Sequence, residues 1–376
     1  MLDYIVRKKC AVGCSEKLEI LSKVKFPVFC GCVLDDRELD LIAEEEVVIS
    51  QDGVVQLKKL IPLEILYASG HDSGATGLIW NQHHEEFSKF ILNFEPKNVL
   101  EIGGGHGKLA KHCLENSDIN WTIMEPNPTH KNPKVQYIES FFNATDLKHG
   151  VYDTIIHSHT LEHIYDPHNF LSEICTLLNG GGYMIFSIPN LKEYLKNKWI
   201  NCISFEHSIL MTEKIVEFLL LKNKFKIKYK KYFLKHSIFY CVEKDQNISS
   251  NGVYLYNEYK ENKRMFLSMK QYYQNKISEL NVIFQQNANK TMYLFGAHTF
   301  SQYLIYNGLY IKNIKNILDN NKNKWNKRLY GTELFVKDPQ IIKNDNNVLV
   351  ILNCGIYNDE IEIDILKICN CEIIKI

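Results

Sequence analysis

The sequence predicts an α/β protein with a central sheet covered by helices on both faces and a second Rossmann-like α/β unit near the C-terminus. Two observations carry this prediction. Residues 99–109 pass from an apolar run that ends in an acid, through closely spaced glycines, directly into a helical pattern. Residues 292–319 repeat this order in a weaker form, with one glycine in the turn and an acid after the next strand.

Bulk composition narrows the kind of protein. The chain has 376 residues, 45% hydrophobic and 23% charged, which is typical of a globular protein with two or three domains. Its 44 basic and 44 acidic side chains cancel, so no bulk charge favours nucleic acid or an anionic membrane as a partner. No apolar run approaches the roughly 20 residues of a membrane span. Residues 1–9 lack a signal-peptide core, and the eleven scattered cysteines suit reduced thiols. We therefore expect a cytoplasmic protein.

The glycine loop indicates the ligand of the central sheet. Four glycines between positions 103 and 107 leave bare backbone against which a ligand can lie. A dinucleotide loop would also need glycine at position 108, where this chain has lysine, so NAD is not expected. The Glu-x-Gly-x-Gly-x-Gly spacing instead resembles the first motif of class I S-adenosylmethionine (SAM) methyltransferases. The resemblance implies SAM as the cofactor, in contact with Glu101, Gly103, Gly105 and Gly107.

The next strands of the sheet supply further candidate cofactor contacts. These strands are predicted at residues 121–125, 135–142 and 152–158. The first of them ends in Glu125, followed by Pro126, and an acid at this place accepts hydrogen bonds from ribose hydroxyls. The end of the second would lie beside adenine, which makes Phe141 the stacking candidate. His159 follows the third and is expected on the cofactor side.

The segment after His159 strengthens the resemblance. Residues 161–167 are Leu-Glu-His-Ile-Tyr-Asp-Pro, similar to the Leu-Glu-His-(apolar)-x-Asp-Pro segment common in SAM methyltransferases. Asp-Pro predicts the start of the next helix, and residues 178–182, with their three glycines, predict its end, before a fifth strand at 183–188. His163 in this segment is a candidate for contact with the acceptor or for holding the loop.

A Glu-His pair after the fifth strand is the candidate catalytic pair. SAM carries its own electrophilic methyl group, so the protein has to align an acceptor and remove one proton. Histidine suits this task near neutral pH, and a neighbouring carboxylate can fix its tautomer. We predict that His207 is the general base, with Glu206 beside it. A structural role for His207 is the alternative.

Most of the chain resembles a family of sugar methyltransferases that combine a zinc module, a methyltransferase domain and a Rossmann-like C-terminal domain. The corresponding boundaries here are residues 1–70, 71–245 and 246–376. Four cysteines of the module are present, at positions 10, 14, 30 and 32. The family's second Cys-x-x-Cys is replaced by Ile49 and Asp52, which removes two ligands. We therefore expect no zinc and no other metal.

The resemblance implies a nucleotide-linked sugar, or a sugar, as the partner and surface polysaccharide synthesis as the process. Relatives that methylate carbon carry tyrosines in the loop that caps the site, whereas residues 69–74 contain none. This favours a sugar hydroxyl as acceptor, with His71 or His207 near it. Carbon methylation of a keto-sugar is the alternative, and a catalytically silent SAM-binding scaffold is the alternative of another class.

The last third of the chain begins with a long helical pattern at residues 254–286, followed by the second α/β unit. In the resembled family this part helps to hold the nucleotide-sugar. Candidate side chains for that role are Thr299, Asn320 and Asn353, and a purely structural lobe is the alternative. A homodimer is a further expectation.

Overall fold

The computed structural model describes residues 2–13, 15–68, 77–115, 117–128, 131–249 and 251–376. Helices and strands are labelled along the chain and fall into three successive groups. The first group comprises β1 (Ile5–Val6), β2 (Leu18–Pro27), β3 (Cys32–Val33), β4 (Ile42–Ser50), β5 (Val55–Leu57), β6 (Lys59–Leu60) and α1 (Leu63–Leu66).

An antiparallel sheet of order β2-β4-β5 forms the centre of the N-terminal segment. Strand β4 lies in the middle, and its second half, from Val47 to Ser50, is buried on both faces. Strands β1 and β6 pair as a separate short ribbon. Strand β3 leaves this segment altogether and pairs with a strand of the third group.

The second group contains the glycine loop. It comprises α2 (Leu78–Leu92), β7 (Asn98–Ile102), α3 (Lys108–Leu114), β8 (Asn120–Met124), β9 (Val135–Ile138), β10 (Tyr152–Ser158), α4 (Pro167–Leu177), β11 (Leu178–Pro189), α5 (Leu191–Lys196), α6 (Glu213–Lys222), β12 (Phe225–Phe233) and β13 (Ser237–Lys244). Its seven described strands form one sheet of order β12-β13-β11-β10-β7-β8-β9. Strand β13 is antiparallel to both neighbours, and the strands from β11 to β9 are parallel.

Helices cover both faces of this sheet because its strands carry apolar side chains on both. In β7, Val99 points to the face covered by α2 and α3, and Leu100 to the face covered by α4 and α6. The chain order reverses between β7 and β10. The carboxyl ends of these two strands therefore border the crevice where open α/β sheets bind ligands.

The third group is a second parallel sheet. It comprises α7 (Tyr259–Gln286), β14 (Thr291–Phe295), α8 (Thr299–Tyr306), β15 (Ile314–Leu318), β16 (Arg328–Leu329), β17 (Val336–Lys337), β18 (Val348–Leu352), α9 (Asn358–Ile368) and β19 (Glu372–Lys375). The sheet has the order β17-β15-β14-β18-β19, and its neighbouring strands are parallel. Helices α7 and α8 cover one face and α9 the other. This sheet is Rossmann-like as well.

The structure corrects one expectation about the central sheet. Helix α4 ends at Leu177, directly before the predicted stop at residues 178–182, but these residues belong to β11, which begins at Leu178 and not at Tyr183. The pairing of β11 with β10 shifts register at this place, since the glycines allow an irregular strand start that bulkier residues would resist.

One buried contact fastens the N-terminal segment to the C-terminal sheet. Strand β3 pairs with β16. Two guanidinium nitrogens of Arg328 in β16 donate hydrogen bonds to the two carboxylate oxygens of Asp40, and the bond to Oδ1 is 2.9 Å long. Both side chains are almost completely buried. Residues of both parts also share one apolar core with α7. Within the described ranges, no helix combines the length and apolar character that a membrane crossing requires.

Candidate active site

The glycine loop follows β7 at the point where the strand order reverses. Gly107 has a φ of 65° and caps the N-terminus of α3 in the left-handed conformation, which glycine adopts without strain. Gly104 is needed for a different reason. A Cβ atom there would lie 2.8 Å from the carboxyl carbon of Glu101 and 2.9 Å from a methyl group of Ile123. The loop therefore lies directly on the end of the sheet.

Glu101 points from β7 under this loop. Its side chain is buried, and the indole nitrogen of Trp121 donates a hydrogen bond of 2.8 Å to its Oε2. Burial raises the pKa of Glu101 to about 7. A carboxylate held this way can accept further hydrogen bonds or balance a positive ligand at the loop.

Glu125 ends β8 one strand further along the sheet. Its Oε2 accepts the backbone N–H of Gly105 at 3.2 Å, and its Oε1 accepts that of Asn127 at 3.1 Å. These two bonds fix the carboxylate between the glycine loop and the loop after β8. It lies where the sequence predicts an acceptor for ribose hydroxyls.

Two cavities meet at the glycine loop. Cavity A, of about 520 Å³, is lined by aromatic and apolar side chains that include Phe141, Tyr67 and Pro126. The rings of Phe141 and Tyr67 lie 6.0 Å apart. Cavity B, of about 210 Å³, extends from the glycine loop to polar residues of the loop before α6 and of the C-terminal sheet. Both cavities are lined by Gly103, Glu125, His159 and His163.

The predicted catalytic histidines face cavity B. The rings of His163 and His207 pack edge to face at 4.8 Å. The Glu206 carboxylate, predicted as the neighbour of His207, lies 3.9 Å from Nδ1 of His163. On the other side of that ring, an oxygen of Glu162 lies 3.9 Å from Nε2. His163 is therefore placed between two carboxylates, and Glu206 contacts it across the fold.

Glu162 itself is an unusual group. It is buried, and its two carboxyl oxygens have no hydrogen-bond partner among the described residues. Burial raises its pKa to about 8. At neutral pH the carboxyl is therefore largely protonated and can donate its proton to a neighbouring imidazole nitrogen. His159 Nδ1 lies 3.6 Å from it.

Not every predicted residue reaches the site in the expected way. His71 lies outside the described residues. Thr299 lines cavity B, but its hydroxyl donates to the carbonyl of Ile203 at 3.1 Å. The amide of Asn353 accepts from the Tyr273 hydroxyl at 2.9 Å and is buried. Asn320 is exposed.

Several lining residues of cavity B have no signal in the sequence motifs. Helix α2 contributes Trp80 and His84 to this lining. The residues directly before α8 and α9 contribute His298 and Tyr357. Only the folding of the C-terminal sheet against the central one brings the last two to the glycine loop. Tyr67 could have been noticed, since it directly precedes the predicted capping loop. Its hydroxyl lies 3.3 Å from Nδ1 of His163.

Two groups of side chains among the described residues have the spacing of metal ligands. The first is Glu162, His163 and His207, and the second is His83, His159 and His236. Neither contains a cysteine. The described cysteines of the N-terminal segment do not gather at one point: Cys30 lines cavity B, and Cys32 lies 3.6 Å from the carbonyl of Ala297. Cys10 accepts the N–H of Gly13, and Cys14 lies outside the described residues.

Comparison with known proteins identifies the class of the central part. Residues 79–227 match the family model described as "Methyltransferase domain". The ubiquinone biosynthesis O-methyltransferase of Pectobacterium atrosepticum is 29% identical over 104 residues, which cover 25% of this chain and 43% of that enzyme. A Mycobacterium tuberculosis protein described as "Probable S-adenosylmethionine-dependent methyltransferase" is 23% identical over 116 residues, 30% of this chain and 42% of that protein.

A solved structure similar to this one is that of the 1,6-didemethyltoxoflavin-N1-methyltransferase of Burkholderia thailandensis. It has 15% sequence identity and a TM-score of 0.39, over 49% of this chain and 86% of that one. The chain spans less than half the length of the curated relatives it matches. Residues 79–227 are thus similar to methyltransferase domains, and the relatives of this part include a protein described as SAM-dependent.

Proposed function

We propose that the protein transfers the methyl group of SAM to a hydroxyl of a nucleotide-linked sugar, for surface polysaccharide synthesis, with His207 as the general base. One observation carries this proposal. Cavities A and B share the residues at the end of β7 and β10, and His207 lines cavity B alone. A cofactor whose adenosyl part fills cavity A would present its other end to cavity B.

The residues around cavity A fit an adenosyl group. Phe141 and Tyr67 offer ring faces for stacking. Glu125 offers carboxylate oxygens to hydroxyl donors, and backbone N–H groups already fix its orientation. Bound SAM would supply a methyl carbon activated by the positive sulfur. The acidic, buried Glu101 beside the loop suits the charged end of such a ligand.

The acceptor step needs little from the protein beyond alignment and proton removal. The acceptor oxygen would bond to the methyl carbon of bound SAM, the S–C electron pair would stay on sulfur, and a ring nitrogen of His207 would take the hydroxyl proton. Glu206 and Glu162 hold His163 from both sides, and His163 packs against His207. These three residues would position the base.

A sugar hydroxyl suits the polarity of cavity B. Asn201, Ser204 and His298 line it from the loop before α6 and from the C-terminal sheet. The name of the Pectobacterium relative, an O-methyltransferase, supports oxygen as the acceptor atom. One observation favours carbon methylation of a keto-sugar as the second candidate. Tyr67 places a phenol beside His163, and this phenol could donate a hydrogen bond to the oxygen of an enolate.

The test is methyl transfer from isotope-labelled SAM to a panel of nucleotide-linked sugars and keto-sugars, with the product mapped by NMR. A methyl group on oxygen supports the proposal, and one on carbon, found only with keto-sugars, supports the second candidate. The His207→Gln variant should lose about 100-fold or more in kcat and keep the Kd for SAM in calorimetry. Unchanged kcat would remove His207 from the mechanism. SAM binding without transfer to any acceptor would favour the silent scaffold.

A further inference from the structure

Three histidines, two of them fully buried, meet beside cavity B, and none of them is the proposed base. They are His83 in α2, His159 after β10 and His236 in the turn between β12 and β13. One nitrogen of each ring lies within 4.8 Å of one nitrogen of each of the others. Elements distant in the sequence therefore direct three imidazoles to one point.

His83 is the member of the cluster whose buried ring nitrogens lack hydrogen-bond partners. It is fully buried, and neither of its ring nitrogens has a hydrogen-bond partner among the described residues. Its ring packs edge-on against Phe233 and Phe239. A buried polar ring with no partner costs free energy unless something binds its nitrogens.

The other two rings share the Ser237 hydroxyl as a partner, and Nε2 of His236 also lies 3.3 Å from the Tyr357 hydroxyl. The Ser237 hydroxyl lies 2.9 Å from Nε2 of His159 and 2.6 Å from Nδ1 of His236. A hydroxyl can donate its proton to one of these nitrogens and accept the N–H of the other ring. Within the cluster, the buried ring nitrogens without a hydrogen-bond partner among the described residues are therefore the two of His83.

We propose that His83, His159 and His236 bind one divalent transition-metal ion of the zinc class. Three neutral imidazoles without a carboxylate form a donor set that such ions accept. Zn–N bonds of about 2.0–2.1 Å place tetrahedral ligand nitrogens about 3.3 Å apart. The rings would thus have to approach by at most about 1.5 Å, within reach of small side-chain rotations.

The charge state of the rings agrees with this role. Burial lowers the pKa of His83 and of His159 well below the usual value, and that of His236 to about 4. All three are therefore neutral near pH 7, as metal ligands must be. The ion would tie α2 to the hairpin at the edge of the central sheet, because His236 lies in the turn between β12 and β13. Trp80, which packs on His236 at 4.7 Å, lines cavity B, so the site borders the proposed acceptor cavity.

The test is metal binding by the full chain, which does not depend on the proposed reaction. Protein stripped with a chelator is dialysed against Zn²⁺ and against Co²⁺, and bound metal is measured by mass spectrometry. We expect about one ion per chain. The cobalt form should show ligand-field bands without thiolate-to-cobalt charge transfer, which separates a histidine site from the N-terminal cysteines.

The variants His83→Phe and His236→Phe should weaken metal binding by about 100-fold or more. This loss exceeds the roughly 10–100-fold effect of replacing a residue that only supports a metal ligand. His157→Phe is the matched control. His157 is also fully buried with neither ring nitrogen hydrogen-bonded among the described residues, but it belongs to neither group of candidate ligands. Its variant should bind metal as the wild type does.

Four results would overturn the proposal: no binding by folded wild-type protein, thiolate charge transfer in the cobalt form, unchanged affinity in His83→Phe, or affinity lost in His207→Gln alone. Circular dichroism checks that each variant folds. If the phenylalanine variants fail to fold, the cobalt spectrum and nitrogen couplings in the electron spin resonance of a Cu²⁺-loaded wild type decide whether histidines bind the ion.

Discussion

Glu45, Glu101 and Glu162 are carboxyl groups that the fold removes from water. Burial raises the pKa of the first two to about 7 and that of the third to about 8. Such shifts are common where a protein needs a group that changes its protonation near neutral pH. Two of the three line cavity B. At the scale of single residues, the site is therefore distinguished by buried acids whose pKa values are raised.

Glu125 provides the first residue-scale prediction. Glu125→Ala removes the carboxylate that two backbone N–H groups orient toward the ribose position. We expect SAM to bind about 10- to 100-fold more weakly, since hydrogen bonds to a charged group contribute about 1.5–3 kcal/mol. Calorimetry measures the change. The control is Glu139→Ala, an exposed carboxylate after β9 paired with Lys131, which should leave the Kd unchanged. Equal affinity in the Glu125 variant would disprove the ribose assignment.

The glycine loop provides the second residue-scale prediction. In Gly104→Ala the new methyl group would meet the side chains of Glu101 and Ile123 at less than 3.0 Å, so the loop has to move off the sheet. We expect SAM affinity to fall about tenfold or more and stability to fall by about 1–3 kcal/mol. Gly180→Ala is the control, because a Cβ atom there meets nothing within 4 Å. Calorimetry and urea unfolding should find that variant close to wild type.

At the scale of elements, the packing of β4 against α7 contains a buried acid. Glu45 in β4 is buried, one of its oxygens has no hydrogen-bond partner among the described residues, and the nearest opposing charge is Lys270 in α7. Here burial outweighs the attraction of Lys270, because the pKa of Glu45 is raised. An amphipathic helix thus covers a strand that keeps one ionisable side chain inside.

This arrangement predicts a pH dependence of stability. The pKa of Glu45 is higher in the folded protein than its ordinary value of 4.5, so the folded state holds the proton more tightly. The resulting stability is complete below about pH 4.5 and is lost as the pH rises through 7. Glu45→Gln should therefore be more stable than wild type at pH 8, by up to about 3 kcal/mol, and gain little at pH 5.

Urea unfolding at the two pH values measures this difference between variant and wild type. Glu38→Gln, an exposed carboxylate of the same segment, should show no such pH-dependent gain. A constant difference between Glu45→Gln and wild type across this range would contradict the assigned shift.

At the scale of the whole molecule, the acceptor cavity depends on how three parts of the chain assemble. Cavity B takes lining residues from the N-terminal segment, the central sheet and the C-terminal sheet, among them Cys30, Glu101 and His298. The two-nitrogen contact between Arg328 and Asp40 joins the first and last of these parts. Removing the Arg328–Asp40 contact should therefore disturb cavity B while leaving the glycine loop unchanged.

Asp40→Ala tests the joint. It leaves the buried guanidinium of Arg328 without its carboxylate, and breaking a buried pair from one side costs about 3–5 kcal/mol. We expect a loss of this size in urea unfolding. Glu333→Ala, which removes the exposed partner of Arg37 at the same interface, should change stability by less than about 1 kcal/mol. Similar losses of unfolding free energy in the two variants would show that the buried Arg328–Asp40 pair stabilises the protein no more than an exposed ion pair does.

Much of the central sheet follows from the sequence. The strand at 152–158 lies where the apolar run predicts it, and the strand before the glycine loop begins one residue earlier. The antiparallel hairpin of β12 and β13 carries no motif, and its edge strand consists mainly of exposed lysines and tyrosines. Likewise, the long helical pattern begins at Tyr259, five residues later than predicted, because Tyr254 and Tyr256 are exposed and have no core to join.

The glycine loop, the acids near the ends of β7 and β8 and hence the kind of domain follow from the sequence, because local spacing favours strand, turn and helix there. Which groups meet depends on the tertiary structure. It placed Glu206 against His163 and gathered His83, His159 and His236, whose positions are as much as 153 residues apart. Such meetings depend on the packing of the three sheets, since side chains distant along the chain become neighbours only when apolar surface is buried between them.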